Sequence, residues 1–153
     1  MSEFPALCWF FVTGTACGNQ ASKKDPARPV FSHGCQFRNP LIIAGVITLC
    51  MKVLMVIAPE KFRDEEFTVP AAALQKAGIG YDVASKKRGP CTGMLGTKVS
   101  ATLALEEVDP KSYDGILIAG GTGAQLHLWD DDLLGGMVKY FHEDARVVAA
   151  ICL

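Results

Sequence analysis

From Met51 onward the chain alternates short, almost wholly apolar runs with amphipathic ones, and this alternation limits its possible folds more than any other feature. Residues 52–58, 114–119 and 146–151 each read as a strand apolar on both faces, as expected of a parallel sheet covered by helices. Tyr81 to Ser85 reads as a further strand. Between the strands, Asp64, Glu65 and Glu66 place acids in a helical first turn, where the positive end of the dipole favours them, and that helix stops near Ala77 and Gly78. Trp129, Asp130, Asp131 and Asp132 cap a second helix reaching about His142. Between Gly89 and Val108, glycines and the alternation from Lys98 to Leu103 predict a small hairpin or excursion. The β–α–β order implies an α/β fold with a doubly wound parallel sheet.

The first fifty residues differ in kind. They hold four of the six cysteines and polar breaks such as Gly18 to Pro26, with little periodicity. Leu7 to Val12 is a short apolar run before Thr15-Ala16-Cys17, but Glu3 stands where an export signal carries Lys or Arg. The apolar stretch from Leu41 through Ile57 is interrupted by Lys52 and its second half suits a strand, so no transmembrane helix is expected. Cys8, Cys17, Cys35 and Cys50 lack CxxC spacing, and His33 beside Cys35 has no companion ligands, so no metal or organic cofactor is indicated. Residues 1–50 are expected to be a poorly ordered leader or non-native extension, with Met51 the natural start of a cytoplasmic domain of residues 51–153. A net charge of −1 gives no basic surface for nucleic acid and no polybasic membrane anchor, leaving small molecules or proteins as partners.

In a parallel sheet all strand C-termini lie on one edge, and ligands bind in the crevice outside it. Glu60 to Glu66, the Gly120-Gly121 pair and Cys152 each follow a predicted strand, so the topology should bring them together. A carboxyl group, glycine N–H groups and a thiol in one crevice suit a nucleophile site with an oxyanion hole. Each has a plainer explanation: a first-turn acid, a tight turn, and a core cysteine, which is among the most buried of residues.

At these residues the chain resembles the ThiJ/PfpI family of the class I glutamine amidotransferase-like superfamily. The resemblance covers residues 51–153 and is carried by Lys52-Val53-Leu54, Glu66-Phe67-Thr68-Val69-Pro70, the run from Tyr113 to Gly121, and Ala149-Ala150-Ile151-Cys152. It implies a flavodoxin-like sandwich truncated after its nucleophile strand, with Cys152 the nucleophile on a tight elbow. Glu66, four residues before Pro70, would share a hydrogen bond with the sulfur and favour the thiolate when protonated. Backbone N–H groups of Gly120, Gly121 and Leu153 would hold the oxyanion. Ala119 replaces the proline usual before the glycine pair, Leu153 the histidine of protease-like members, and Gln125 a glutamate reaching in from a neighbouring subunit. The last two departures argue against peptidase activity, because a thiol without a positioned base attacks amides poorly. His127 and His142 match no catalytic position; the former reads as a turn residue and the latter as a helix C-terminus, while Cys91 reads as a passive thiol.

Three functions are implied: a cysteine-dependent hydrolase, deglycase-like or glyoxalase-like, serving a stress response; a non-enzymatic redox-sensing or chaperone-like protein; and an intracellular cysteine peptidase. An intact version is expected to be a homo-oligomer. With the chain ending beside its nucleophile, the resemblance also predicts an inactive fragment with residues 147–151 as an exposed apolar edge.

Overall fold

The computed structural model describes residues 40–43, 46–49 and 51–152. In the unit formed by residues 15–50, strands β1 (Pro40–Ile43) and β2 (Val46–Leu49) make an antiparallel hairpin in which Pro40 pairs with Leu49. The remaining described elements belong to the other unit and follow the order β3 (Lys52–Val56), β4 (Glu60–Phe62), α1 (Asp64–Lys76), β5 (Gly80–Ser85), β6 (Gly89–Gly93), β7 (Lys98–Ala101), β8 (Leu103–Ala104), β9 (Gly115–Ala119), α2 (Thr122–His127), α3 (Asp132–Glu143) and β10 (Val147–Ile151).

Five strands form a parallel sheet in the spatial order β10-β9-β3-β5-β8. The chain thus leaves β3 in one direction through β5 and β8, and returns to its other side for β9 and β10. That reversal places a topological switch point at the C-terminal ends of β3 and β9, where a crevice must open. Central β3 and the two residues after it carry the core: Leu54, Met55, Val56, Ile57 and Ala58 are fully buried. A smaller sheet pairs β4 parallel with β6 and β6 antiparallel with β7, which is the hairpin expected between Gly89 and Val108.

The helices follow their apolar spacing. Phe67 and Ala71 of α1, and Leu134, Met137 and Phe141 of α3, recur at three-, four- and seven-residue intervals and are buried. Asp131 caps α3, its Oδ1 accepting the N–H groups of Leu133 and Leu134 at 3.1 Å each. Gly78, at φ +70°, ends the turn after α1. The short helix α2 departs from the reading of this segment as a turn followed by one helix: His127 is its last residue. Among the described residues no helix is long and apolar enough to cross a membrane.

Arg146 fastens the approach to β10. Its side chain is 11% exposed, and its guanidinium pairs with Asp144. It also donates to the carbonyls of Pro110 (3.1 Å), Lys111 (3.3 Å) and Tyr113, and lies over the rings of Tyr140 and Phe141. Because these carbonyls lose a charged donor together, Arg146→Ala is expected to cost about 2–4 kcal/mol in a chemical denaturation series.

Candidate active site

Two segments of backbone meet at the switch point. One runs from Glu60 through Arg63 into α1; the other is the turn from Gly120 to Gly123 after β9. Arg63, the N-cap of α1, has extended backbone and makes no side-chain cap. Its N–H donates instead to the carbonyl of Gly120 at 3.0 Å. The N–H of Gly120 in turn donates to Oε2 of Glu66 at 2.8 Å. A capping box normally closes on itself, the third helical residue reaching back to the N-cap. Here Gly120 is inserted between the two and caps the helix from another strand.

Only glycine fits this approach. A Cβ on Gly120 would lie 2.6 Å from the carbonyl oxygens of both Ile151 and Cys152. One on Gly121, whose φ is +101°, would lie 2.6 Å from the Arg63 nitrogen. The same closeness brings β10 to the site. Cys152 follows β10 directly, is exposed, and takes a φ of +53°, a left-handed conformation rare for a residue with a side chain. A nucleophile elbow uses such a strained turn to lift its side chain clear of the sheet edge.

Glu66 joins the parts. Its residue is 8% exposed, and its carboxyl is hydrogen-bonded both to the Gly120 N–H and to the Cys152 thiol. Burial raises its pKa above the ordinary 4.5, outweighing the Gly120 and Cys152 bonds and the nearby Arg63 charge, which act the other way. Two residues earlier, Asp64 is driven in the opposite direction. Burial opposes its charge too, but bonds from Thr97 and Leu95 outweigh it and hold the carboxyl below 3.8. Its two oxygens accept the N–H groups of Leu95 and Thr97 at 2.8 Å each, tying the loop after β6 to the start of α1. The two neighbouring carboxyls are thus pushed in opposite directions, Asp64 toward its anion and Glu66 toward its protonated form.

Glu66, Gly120 and Cys152 are therefore brought together, and Gly121 stands beside them with an N–H that has no hydrogen-bond partner among the described residues. Of the glycine pair expected to form the oxyanion hole, Gly120 has its N–H engaged by Glu66, which leaves Gly121 as the available donor. Leu153, like Cys8, Cys17, His33, Cys35 and Cys50, lies outside the described residues. His127 faces Glu60, with Nε2 3.5 Å from Oε1; His142 lies in the last turn of α3; Cys91 is buried in β6, and Gln125 is exposed on α2. Arg63 and the tie made by Asp64 escaped the sequence reading. Alternation from residue 61 to 66 was the available signal: Lys61, Arg63 and Glu65 are exposed while Phe62, Asp64 and Glu66 are buried.

Comparison with known proteins identifies the family of the domain. The model of the DJ-1/PfpI family matches residues 51–153. An uncharacterized Methanocaldococcus jannaschii protein, MJ0967, is 45% identical over 102 residues, which are 67% of this chain and 50% of that protein. Deglycase TK1284 of Thermococcus kodakarensis is 34% identical over 102 residues, 67% of this chain and 60% of its own length. The chain thus spans half to three-fifths of these relatives. The crystal structure of a ThiJ/PfpI domain protein from Brachyspira murdochii superposes with a TM-score of 0.62 at 31% identity, covering 65% of this chain and 57% of that one. A cysteine in a left-handed conformation at the end of β10, a buried carboxyl bonded to it and a family match across the whole five-stranded sheet lead to one conclusion: this chain belongs to the DJ-1/PfpI family.

Proposed function

We propose that the chain is a cysteine-nucleophile protein of the deglycase kind, acting on carbonyl adducts. The observation that carries this reading is the single carboxyl of Glu66 bonded at once to the Gly120 N–H and the Cys152 thiol. In the proposed first step the thiol proton passes to the Glu66 carboxylate and the sulfur adds to the carbonyl carbon. The C=O electron pair moves to oxygen, which the Gly121 N–H holds, and Glu66 then returns the proton to that oxygen. Atoms and charge balance, and the elevated affinity of Glu66 for a proton suits a group that takes one up and gives it back. The similarity to a protein named as a deglycase supports this choice of reaction class, and a cytoplasmic role in repair under stress would accompany it.

Turnover of methylglyoxal-adducted peptides by the 153-residue chain tests the proposal. Activity is expected to fall to the uncatalysed background in Cys152→Ser. Turnover that survives this substitution, or none in the parent chain, would overturn it. Peroxide-dependent mass gain on Cys152 without turnover would instead favour a redox-sensing role, for which the exposed thiol beside a carboxyl is also suited.

A further inference from the structure

The rim of the site carries a charge pattern that the proposed chemistry does not use. Lys61 and Arg63 are exposed on the segment that closes against the Gly120–Gly123 turn, and Lys61 holds a left-handed backbone, φ +53°. Arg63 is two hydrogen bonds from the nucleophile's carboxyl partner: its N–H binds the Gly120 carbonyl, and the N–H of the same glycine binds Glu66. The backbone of Gly120 lies so close to Cys152 that a Cβ would meet its carbonyl oxygen at 2.6 Å. The backbone of Arg63 is therefore held relative to the backbone of Cys152 by main-chain contacts.

We propose, resting on the nucleophile reading above, that Arg63 makes this site selective for carbonyl compounds bearing a negative charge, such as a carboxylate, beside the reacting carbon. Three features favour this. First, among the described residues the guanidinium is held by Glu65, Nε to Oε2 at 3.1 Å, with both side chains about half exposed. An exposed pair of this kind contributes little, so an incoming carboxylate can replace Glu65 at small cost, and a planar fork suits that exchange. Second, the charge of Arg63 acts on Glu66, which places it within electrostatic reach of the reacting groups. Third, Glu66 is buried and already accepts the Gly120 N–H at 2.8 Å, so part of its charge is met by that donor and an incoming anion is repelled less than by an open glutamate.

Two alkylating reagents of nearly equal size test the inference without requiring the natural substrate. Iodoacetate is an anion and iodoacetamide is neutral, and each transfers its carbon to the sulfur with loss of iodide. Their rates at Cys152, followed by peptide mass mapping of the full chain, give a ratio that reports local potential rather than intrinsic thiol reactivity. Arg63→Gln keeps the backbone bond to Gly120 and is expected to lower the iodoacetate-to-iodoacetamide ratio about threefold or more at low salt. Glu65→Gln, which frees the guanidinium, is expected to raise it, and high salt should compress both differences. Ready alkylation of Cys152 with a ratio that neither substitution moves would overturn the anion selectivity and leave the nucleophile reading standing. Failure of Cys152 to react with either reagent would remove the nucleophile reading, and this inference with it.

Discussion

Alanine at position 123 is expected to abolish the native fold. A Cβ placed on Gly123 would lie 1.8 Å from the carbonyl oxygen of Glu60 and 3.0 Å from the Cβ of Ala58, so it meets backbone rather than the movable end of a side chain. Neither side can retreat. Glu60 belongs to β4, paired with β6 and followed by Lys61 in a strained conformation, while Ala124 and Leu128 anchor α2 in the core. The clash should cost more than about 4 kcal/mol, a large share of the 5–15 kcal/mol that holds a typical domain together. Thermal melting would show it as loss of a cooperative transition, accompanied by alkylation of the buried Cys91. Gly135 provides the control: it is exposed on α3 with nothing within 4 Å of an added Cβ, and Gly135→Ala should stabilise by about 0.5–1 kcal/mol. A Gly123→Ala protein that melts like its parent would refute the close approach of the two segments.

The second large effect concerns Glu66. Glu66→Leu removes the acceptor of a buried N–H at Gly120 and should destabilise by about 1–3 kcal/mol. Glu66→Gln retains an acceptor for that N–H but cannot ionise, and its effect should depend on pH. Because burial raises the carboxyl's pKa above 4.5 in the folded state, folding favours the protonated form. The corresponding stability is fully present below the unfolded value and is lost as pH rises through the folded one. Relative to Glu66→Gln, the parent should therefore lose stability as pH is raised above 4.5 and gain it as pH falls. Urea midpoints of both proteins across that range measure the difference. A parallel pH dependence, or one of opposite sign, would show that the carboxyl is not held in a protonated-favouring environment.

Much of the frame could be read from the chain because its strongest patterns are long. The fully apolar segments became β3, β9 and β10, and the spacing of Phe67 and Ala71, or of Leu134, Met137 and Phe141, marked the buried faces of α1 and α3. Short elements could not be read. β8 is two residues and β4 three, too few for any alternation to register, and α2 is a six-residue helix opened by glycines. Convergence of Glu66, Gly120 and Cys152 followed from topology, since Gly120 and Cys152 directly follow strands of one parallel sheet and Glu66 opens the helix reached from its central strand. Their division of labour did not. Asp64 resembled a dipole-favoured acid, and nothing local reveals that its carboxylate binds Leu95 and Thr97 more than thirty residues away. Likewise, that Gly120 gives its N–H to Glu66 depends on a contact between residues 54 positions apart.

The helix that carries Glu66 has no cap of its own and borrows one from Gly120. A helix of thirteen residues is marginal by itself, and without a capped first turn its opening residues fray most readily. Gly120 reaches position only after β9 has docked beside β3, a non-local pairing that comes slowly in folding. The turn holding Glu66 therefore cannot be completed before the sheet is assembled. In a partly folded chain the Cys152 thiol and the Glu66 carboxyl stay apart, so the pairing that the proposed chemistry requires forms only once the architecture around it is in place.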